Sequence, residues 1–195
     1  DSAGEFRVSV EQYERYYRFV AGQGSYTEQA TGIEVELDGP TLSAVVHSGT
    51  GQRSVSINIL SHLVAGRFLY KREQPDVPLR SARNAADAAA EGYVDLVPTR
   101  VTLEDLSAAN SAPSLTAGAR ASLYSAGVSQ LAEKRMAADG HSGGQTAGAY
   151  SSIAFAQKLY DDVRTDGRLD GQGSSGQLSF GSLALDSNVY RPELA

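Results

Sequence analysis

Cysteine and tryptophan are absent from these 195 residues, and methionine occurs once. Without cysteine there are no disulfides, no zinc-thiolate sites, no haem attachment through Cys-x-x-Cys-His and no thiol nucleophile. Long apolar runs are missing too. None approaches the roughly 18 residues that a bilayer span needs, and no basic amphipathic stretch is suited to lying on a membrane. Positive charge is in deficit: 17 Lys and Arg against 23 Asp and Glu give a formal charge of −6. That leaves no broad basic surface for a phosphate backbone and argues against a nucleic-acid partner. The three histidines, His47, His62 and His141, show neither His-x-His nor His-Glu-x-x-His spacing, so zinc lacks a ligand set. No Gly-x-Ser-x-Gly elbow presents a serine nucleophile.

What is present fits a folded chain. Apolar residues make up 41% and charged residues 21%, which is a globular balance, and the length allows one good core or two small ones sharing a face. Scarce lysine, abundant Ser, Thr, Gly and Ala, and the absence of cysteine point to an extracytoplasmic setting, at a cell surface or secreted. No leader segment opens the chain, so Asp1 is read as a processed terminus or a cut within a longer protein.

Hydrophobic periodicity divides the chain. Phe6, Val8 and Val10 alternate with polar residues, as do Ile33, Val35 and Leu37, and Leu42, Ala44 and Val46. Period two with one polar face predicts an antiparallel sheet covered on one side. Asp38-Gly-Pro40 is expected to join the last two as a hairpin, and residues 53–57 to add a short strand. Tyr13 to Val20 is rich in aromatics and is read as a strand, although Tyr13, Tyr16, Tyr17 and Val20 would also share a helix face. After Asn58, a plausible N-cap, Leu60, Leu63, Val64 and Phe68 recur at helical spacing until Pro75 and Pro78. Ala82, Ala85, Ala86 and Ala89 mark a second helix, and Thr102 opens a short third. Ser114 is expected to cap a long helix through Tyr124, Val128 and Leu131 that ends at Asp139-Gly140. A last helix carries Ala149, Ile153, Ala156, Tyr160 and Val163 on one stripe. Leu178, Phe180, Leu183 and Leu185 anchor the Ser- and Gly-rich tail over the core.

The densest chemistry lies where that last helix ends, in Leu159-Tyr-Asp-Asp-Val-Arg-Thr-Asp-Gly-Arg-Leu-Asp-Gly171. Asp161, Asp162, Asp166 and Asp170 supply hard oxygen ligands, and Gly167 and Gly171 permit the turns that would gather them around one cation, with calcium the natural candidate. The spacing is not that of an EF-hand. In the plainer alternative, Asp166 and Asp170 cap turns through their own backbone. Against it stands the helix dipole, whose negative end disfavours uncompensated carboxylates. A second candidate is the group Tyr13, Tyr16, Tyr17 and Tyr26 with Arg15 and Arg18, which would form a stacking surface for glycan or peptide, or simply be sheet tyrosines with cross-strand arginines.

Three landmarks in order resemble a β/helical module that recurs in large bacterial secreted and surface-anchored proteins, next to carboxypeptidase-regulatory-like or immunoglobulin-like domains. They are Gly24-Ser-Tyr-Thr-Glu-Gln-Ala-Thr-Gly32, then Leu42 to Val46 with Val55 to Ala65, then the Leu159 to Gly171 ending. Asn58-Ile59 stands where Thr-Pro is usual, and Glu28-Gln29 where Asp-Glu is usual. The resemblance implies a cell-surface or extracellular setting and a structural or adhesive role, with no activity to carry over.

The expected fold class is α+β: a small N-terminal antiparallel sheet packed against a bundle of about four helices, with an irregular C-terminal tail. The expected division is 1–57 β-rich, 58–171 helical and 172–195 an ordered tail, all one cooperative unit. The expected function is non-catalytic assembly or attachment through an edge strand, with the strand Phe6 to Val10 as the edge, and stabilisation by calcium. A glycan- or peptide-binding module and a hydrolase built from dispersed Ser, His and Asp are the alternatives.

Overall fold

The computed structural model describes residues 8–9, 15–28, 30–36, 39, 41–48, 54–82, 116–142 and 148–186. Its architecture is α+β, with small antiparallel sheets packed on helices, as the sequence pattern predicts.

Aromatic and β-branched residues suit a pleated surface, and they form β1 (Tyr16–Ala21) and β4 (Leu42–His47), which pair antiparallel from Tyr16 opposite His47 to Ala21 opposite Leu42. Inside the loop this pair closes, β2 (Ser25–Thr27) pairs with β3 (Glu34–Glu36). The four strands therefore make one long interrupted ribbon. The Asp38-Gly-Pro40 hairpin expected between β3 and β4 is corrected, because β3 pairs with β2 and β4 with β1. At the tip, Glu28 and Ile33 close a turn in which Gly32 takes a φ of 67°.

β4 departs from a one-sided strand: Ser43, Ala44 and Val45 are all buried. Its Ser43 and Val45 side lies against α1 (Ile59–Glu73), with Val45 clustering with Val64 and Phe68. No strand forms over residues 54–57, the described part of the expected 53–57 strand. Val8 and Ser9 lie in no strand and Val8 is exposed; the rest of the expected Phe6 to Val10 strand falls outside the described residues.

Asn58 caps α1 as predicted. Its side chain accepts from the Ser61 N–H, and the Ser61 hydroxyl accepts from the Asn58 N–H, which is a reciprocal capping box. Gln74 turns extended before Pro75, where proline disfavours helix in the preceding residue. A helical turn at residues 79–82 follows; the expected helix from Ala85 to Ala89 and the one from Thr102 lie outside the described residues.

α2 (Ala117–Ala138) is capped by Thr116, whose side chain accepts from the Ala119 N–H, and not by the expected Ser114. α3 (Ser152–Asp166) is capped by Ser151 and closed by Gly167, whose φ of 81° suits glycine and whose N–H reaches the Val163 carbonyl. Helices α1 and α3 cross closely at Gly66, where an added Cβ would stand 2.9 Å from both Tyr160 and Val163 side chains.

Past α3 the tail is built of two tiny hairpins, β5 (Gln172–Gly173) with β6 (Gly176–Gln177) and β7 (Ser179–Phe180) with β8 (Leu183–Ala184). Phe180 and Leu185 are fully buried in the core shared by Phe155, Leu159, Val163 and Val128. Phe180 meets Phe155 edge to face at 5.2 Å. Among the described residues no helix is long and apolar enough to cross a membrane.

Candidate metal centre

The final helix turn fixes the acidic group. Asp162 and Asp166 are four residues apart and so share a helix face. Gly167 then reverses the chain and brings Asp170 back, and one carboxylate oxygen from each of Asp162, Asp166 and Asp170 lies within 4.8 Å of the others. Asp162 is fully buried, whereas Asp166 and Asp170 are half-buried. Asp161 is not in the group, although it was expected to join. One residue along a helix is a rotation of about 100°, and its carboxylate instead accepts from the Gln157 amide at 2.9 Å.

The loop is also stitched by its own carboxylates. Asp166 accepts from the Arg168 N–H at 2.8 Å, and Asp170 from the Gln172 N–H at 3.1 Å, which are the turn caps of the plainer alternative. Asp162 Oδ2 accepts the Gly171 N–H at 2.9 Å. Gly171 has a φ of 83°, and a Cβ there would fall 1.8 Å from the Leu185 carbonyl oxygen. Turn capping uses one oxygen from each of Asp166 and Asp170, so cation binding and capping are compatible. When all three carboxylates are ionised they repel one another, with water screening the half-buried Asp166 and Asp170, and the negative end of α3 adds to that repulsion. A divalent cation converts that repulsion into attraction. Three carboxylates fit a hard, oxygen-preferring ion such as calcium, with backbone carbonyls and water completing its shell.

The Tyr and Arg group is dispersed. The pleat of β1 sends Tyr16 and Arg18 to one side and Tyr17 to the other. Tyr16 packs on Phe68 at 5.1 Å and on His47 at 4.8 Å. Arg18 lies over the Tyr160 ring at 5.6 Å. Arg15 is exposed, with its N–H bonded to the Ser48 hydroxyl, and Tyr13 lies outside the described residues.

Ser43 and His62 meet, with Ser43 Oγ 3.0 Å from His62 Nδ1, but both are completely buried. Burial pushes His62 down to about 4, with Arg18 adding to the fall and Gln157 opposing it. A neutral ring sealed from solvent reaches no substrate.

Two further polar sites escaped the sequence reading. Glu28 is buried at the N-terminus of α3, where its Oε2 accepts the Ser152 N–H and the Tyr26 hydroxyl, both at 2.8 Å. Burial and the Glu28 carboxylate, outweighing Ser151 and Ser152, raise Tyr26 to about 12. Asp139, at the end of α2, pairs with Arg135 and accepts from the Ser182 N–H (2.9 Å), the Ser182 hydroxyl (2.6 Å) and the Tyr150 hydroxyl (3.0 Å). Arg135 first, and then Ser182, hold its carboxyl well below the usual range. The signal for Glu28 lay in the Gly24 to Gly32 landmark, and that for Asp139 in the Asp-Gly helix stop, but neither named its distant partner. Compared with known family models, with curated proteins and with solved structures, the chain matches none.

Proposed function

We propose that this chain is a non-catalytic module of a bacterial cell-surface or secreted protein, acting in assembly or attachment and stabilised by calcium at Asp162, Asp166 and Asp170. The observation that carries the reading is the convergence of those three carboxylates within 4.8 Å of one another. An incomplete protein ligand set suits the weak end of calcium affinity, about 10⁻⁴–10⁻³ M, at which extracellular modules work. The absence of cysteine and the resemblance to modules of bacterial surface proteins support the same setting. The site lies where α3 hands over to the C-terminal hairpins, so a bound ion would stiffen that junction without meeting a substrate.

The test is thermal unfolding in calcium, in magnesium and in excess chelator, with calorimetric titration of calcium and sedimentation analysis alongside. Calcium at 100 times its dissociation constant is expected to add about 2.7 kcal/mol. Identical midpoints in all three conditions, with no heat of binding, would remove calcium from the reading. A concentration-independent monomer in calcium would remove self-assembly, leaving attachment to another protein.

A further inference from the structure

Beside the apolar packing of Val45 on Val64 and Phe68, the joint between β4 and α1 holds a buried polar contact. Ser43 in β4 is gripped by two consecutive residues of α1: the Ser61 hydroxyl donates to its carbonyl at 3.2 Å, and His62 Nδ1 accepts its backbone N–H at 3.0 Å. A main-chain N–H cannot reverse its role, so Nδ1 must carry a lone pair and the ring must be neutral with its proton on Nε2. The ring is completely buried and stacks on Tyr160 at 4.4 Å, with planes 11° apart. Nε2 is sealed from water and makes no hydrogen bond of bonding geometry, although the Gln157 side chain is near enough to favour a charged ring. Of titratable or charged groups, Tyr160 of α3 faces the ring and Arg18 of β1 acts on it from over the Tyr160 ring; β4 presents the neutral Ser43. Among the described residues no carboxylate bonds to the ring.

We propose that His62 is an acid-triggered latch: protonating the ring turns the acceptor that holds the Ser43 backbone N–H into a donor, leaving only the Ser43 hydroxyl, 3.0 Å from Nδ1, to accept from it, and so loosens β4 on α1. The imidazolium would also be desolvated and repelled by Arg18, with no carboxylate bonded to it among the described residues. The Ser61 bond to Ser43 survives, so the latch weakens the joint at one of its two grips.

The direction in pH follows. The folded value, about 4, lies below the ordinary 6.5 of the unfolded chain. Stability is therefore full above pH 6.5 and falls as the pH drops towards 4, and the gap corresponds to a fall in the folded-to-unfolded ratio of up to about 300-fold.

The test is chemical denaturation of the whole chain between pH 7.5 and 4, for the native protein and for His62→Gln, whose neutral amide does not titrate in this range. The native protein is expected to lose stability across the window, and His62→Gln to lose at least tenfold less. His47→Gln and His141→Gln should behave like the native protein. An equal fall in His62→Gln overturns the latch. Should that variant fail to fold, NMR titration of the native His62 ring decides. A ring that stays neutral until Ser43 amide protection is lost supports the latch; one that titrates near 6.5 with that protection intact overturns it.

Discussion

The two ends of α3 meet carboxylates of opposite consequence. At the N-terminus, Glu28 reaches in from the ribbon tip and accepts the Ser152 N–H, so its charge lies at the positive end of the helix dipole and satisfies an orphan donor. At the C-terminus, Asp162, Asp166 and Asp170 crowd the negative end, and their own repulsion adds to that of the dipole. The first arrangement engages Glu28 Oε2 twice and leaves Oε1 buried with no hydrogen-bond partner among the described residues. The second gathers like charges at the negative end of the dipole, and the C-terminal hairpins are stitched through it. The difference teaches that acidity alone does not mark a metal site. The direction of the nearby helix separates a carboxylate placed at its positive end from carboxylates gathered at its negative end.

The largest effect should come from the C-terminal end. Gly171→Ala places a Cβ 1.8 Å from the Leu185 carbonyl oxygen at a φ of 83°, where L side chains are strained. We expect a loss on the order of 4 kcal/mol by urea unfolding. A loss under about 1 kcal/mol would show that the hairpins lift away freely, and that Asp162 does not depend on the loop to hold its geometry.

A sharper comparison comes from Asp166→Asn with Asp170→Asn. Asparagine keeps the side-chain carbonyl that caps each turn, so the Arg168 and Gln172 bonds persist while the charge is removed. In chelator the double variant should equal or exceed the native protein by up to about 1 kcal/mol, because repulsion and the dipole penalty are relieved. In saturating calcium it should fall short by about 2.7 kcal/mol. A deficit of the same size in both conditions would mean the aspartates serve only the turns. Glu28→Ala should instead cost about 2 kcal/mol regardless of calcium, since it strips the Ser152 N–H and the Tyr26 hydroxyl of a shared buried acceptor. Calcium dependence of that loss would break the contrast between the two ends.

Legibility in the sequence tracked the range of the interaction. The Asn58 cap and the Gly167 stop were readable because each is settled within four residues, and α+β because periodicity is local. The long α2 was readable but its cap was not: Ser114 and Thr116 are both hydroxyl residues, and only the Ala119 N–H selects between them. The Asp-Gly-Pro turn was misread because the pairing of Ala21 with Leu42 fixes the ribbon register. Three of four aspartates could be placed from spacing, and Asp161 failed because adjacent helix positions face different ways. Glu28 and Ser152, 124 residues apart, left no local trace of their bond.

The smallest effect tests how self-sufficient the N-terminal end is. Tyr26→Phe removes one of the two donors to Glu28 Oε2 and leaves the helix N–H in place, so the loss should be about 1 kcal/mol. The alkaline limb gives an independent reading of the same contact. Tyr26 is raised to about 12 from its ordinary 10.0, by burial first and by the Glu28 charge among the lesser causes. A raised folded value means that the contribution is fully present below pH 10 and is lost as the pH climbs through 12. Native protein should therefore weaken more steeply than Tyr26→Phe over that interval, and its advantage of about 1 kcal/mol should be gone before the upper end. Parallel curves would show that the phenol does not report on Glu28, and that the helix dipole alone holds the carboxylate at this end of α3.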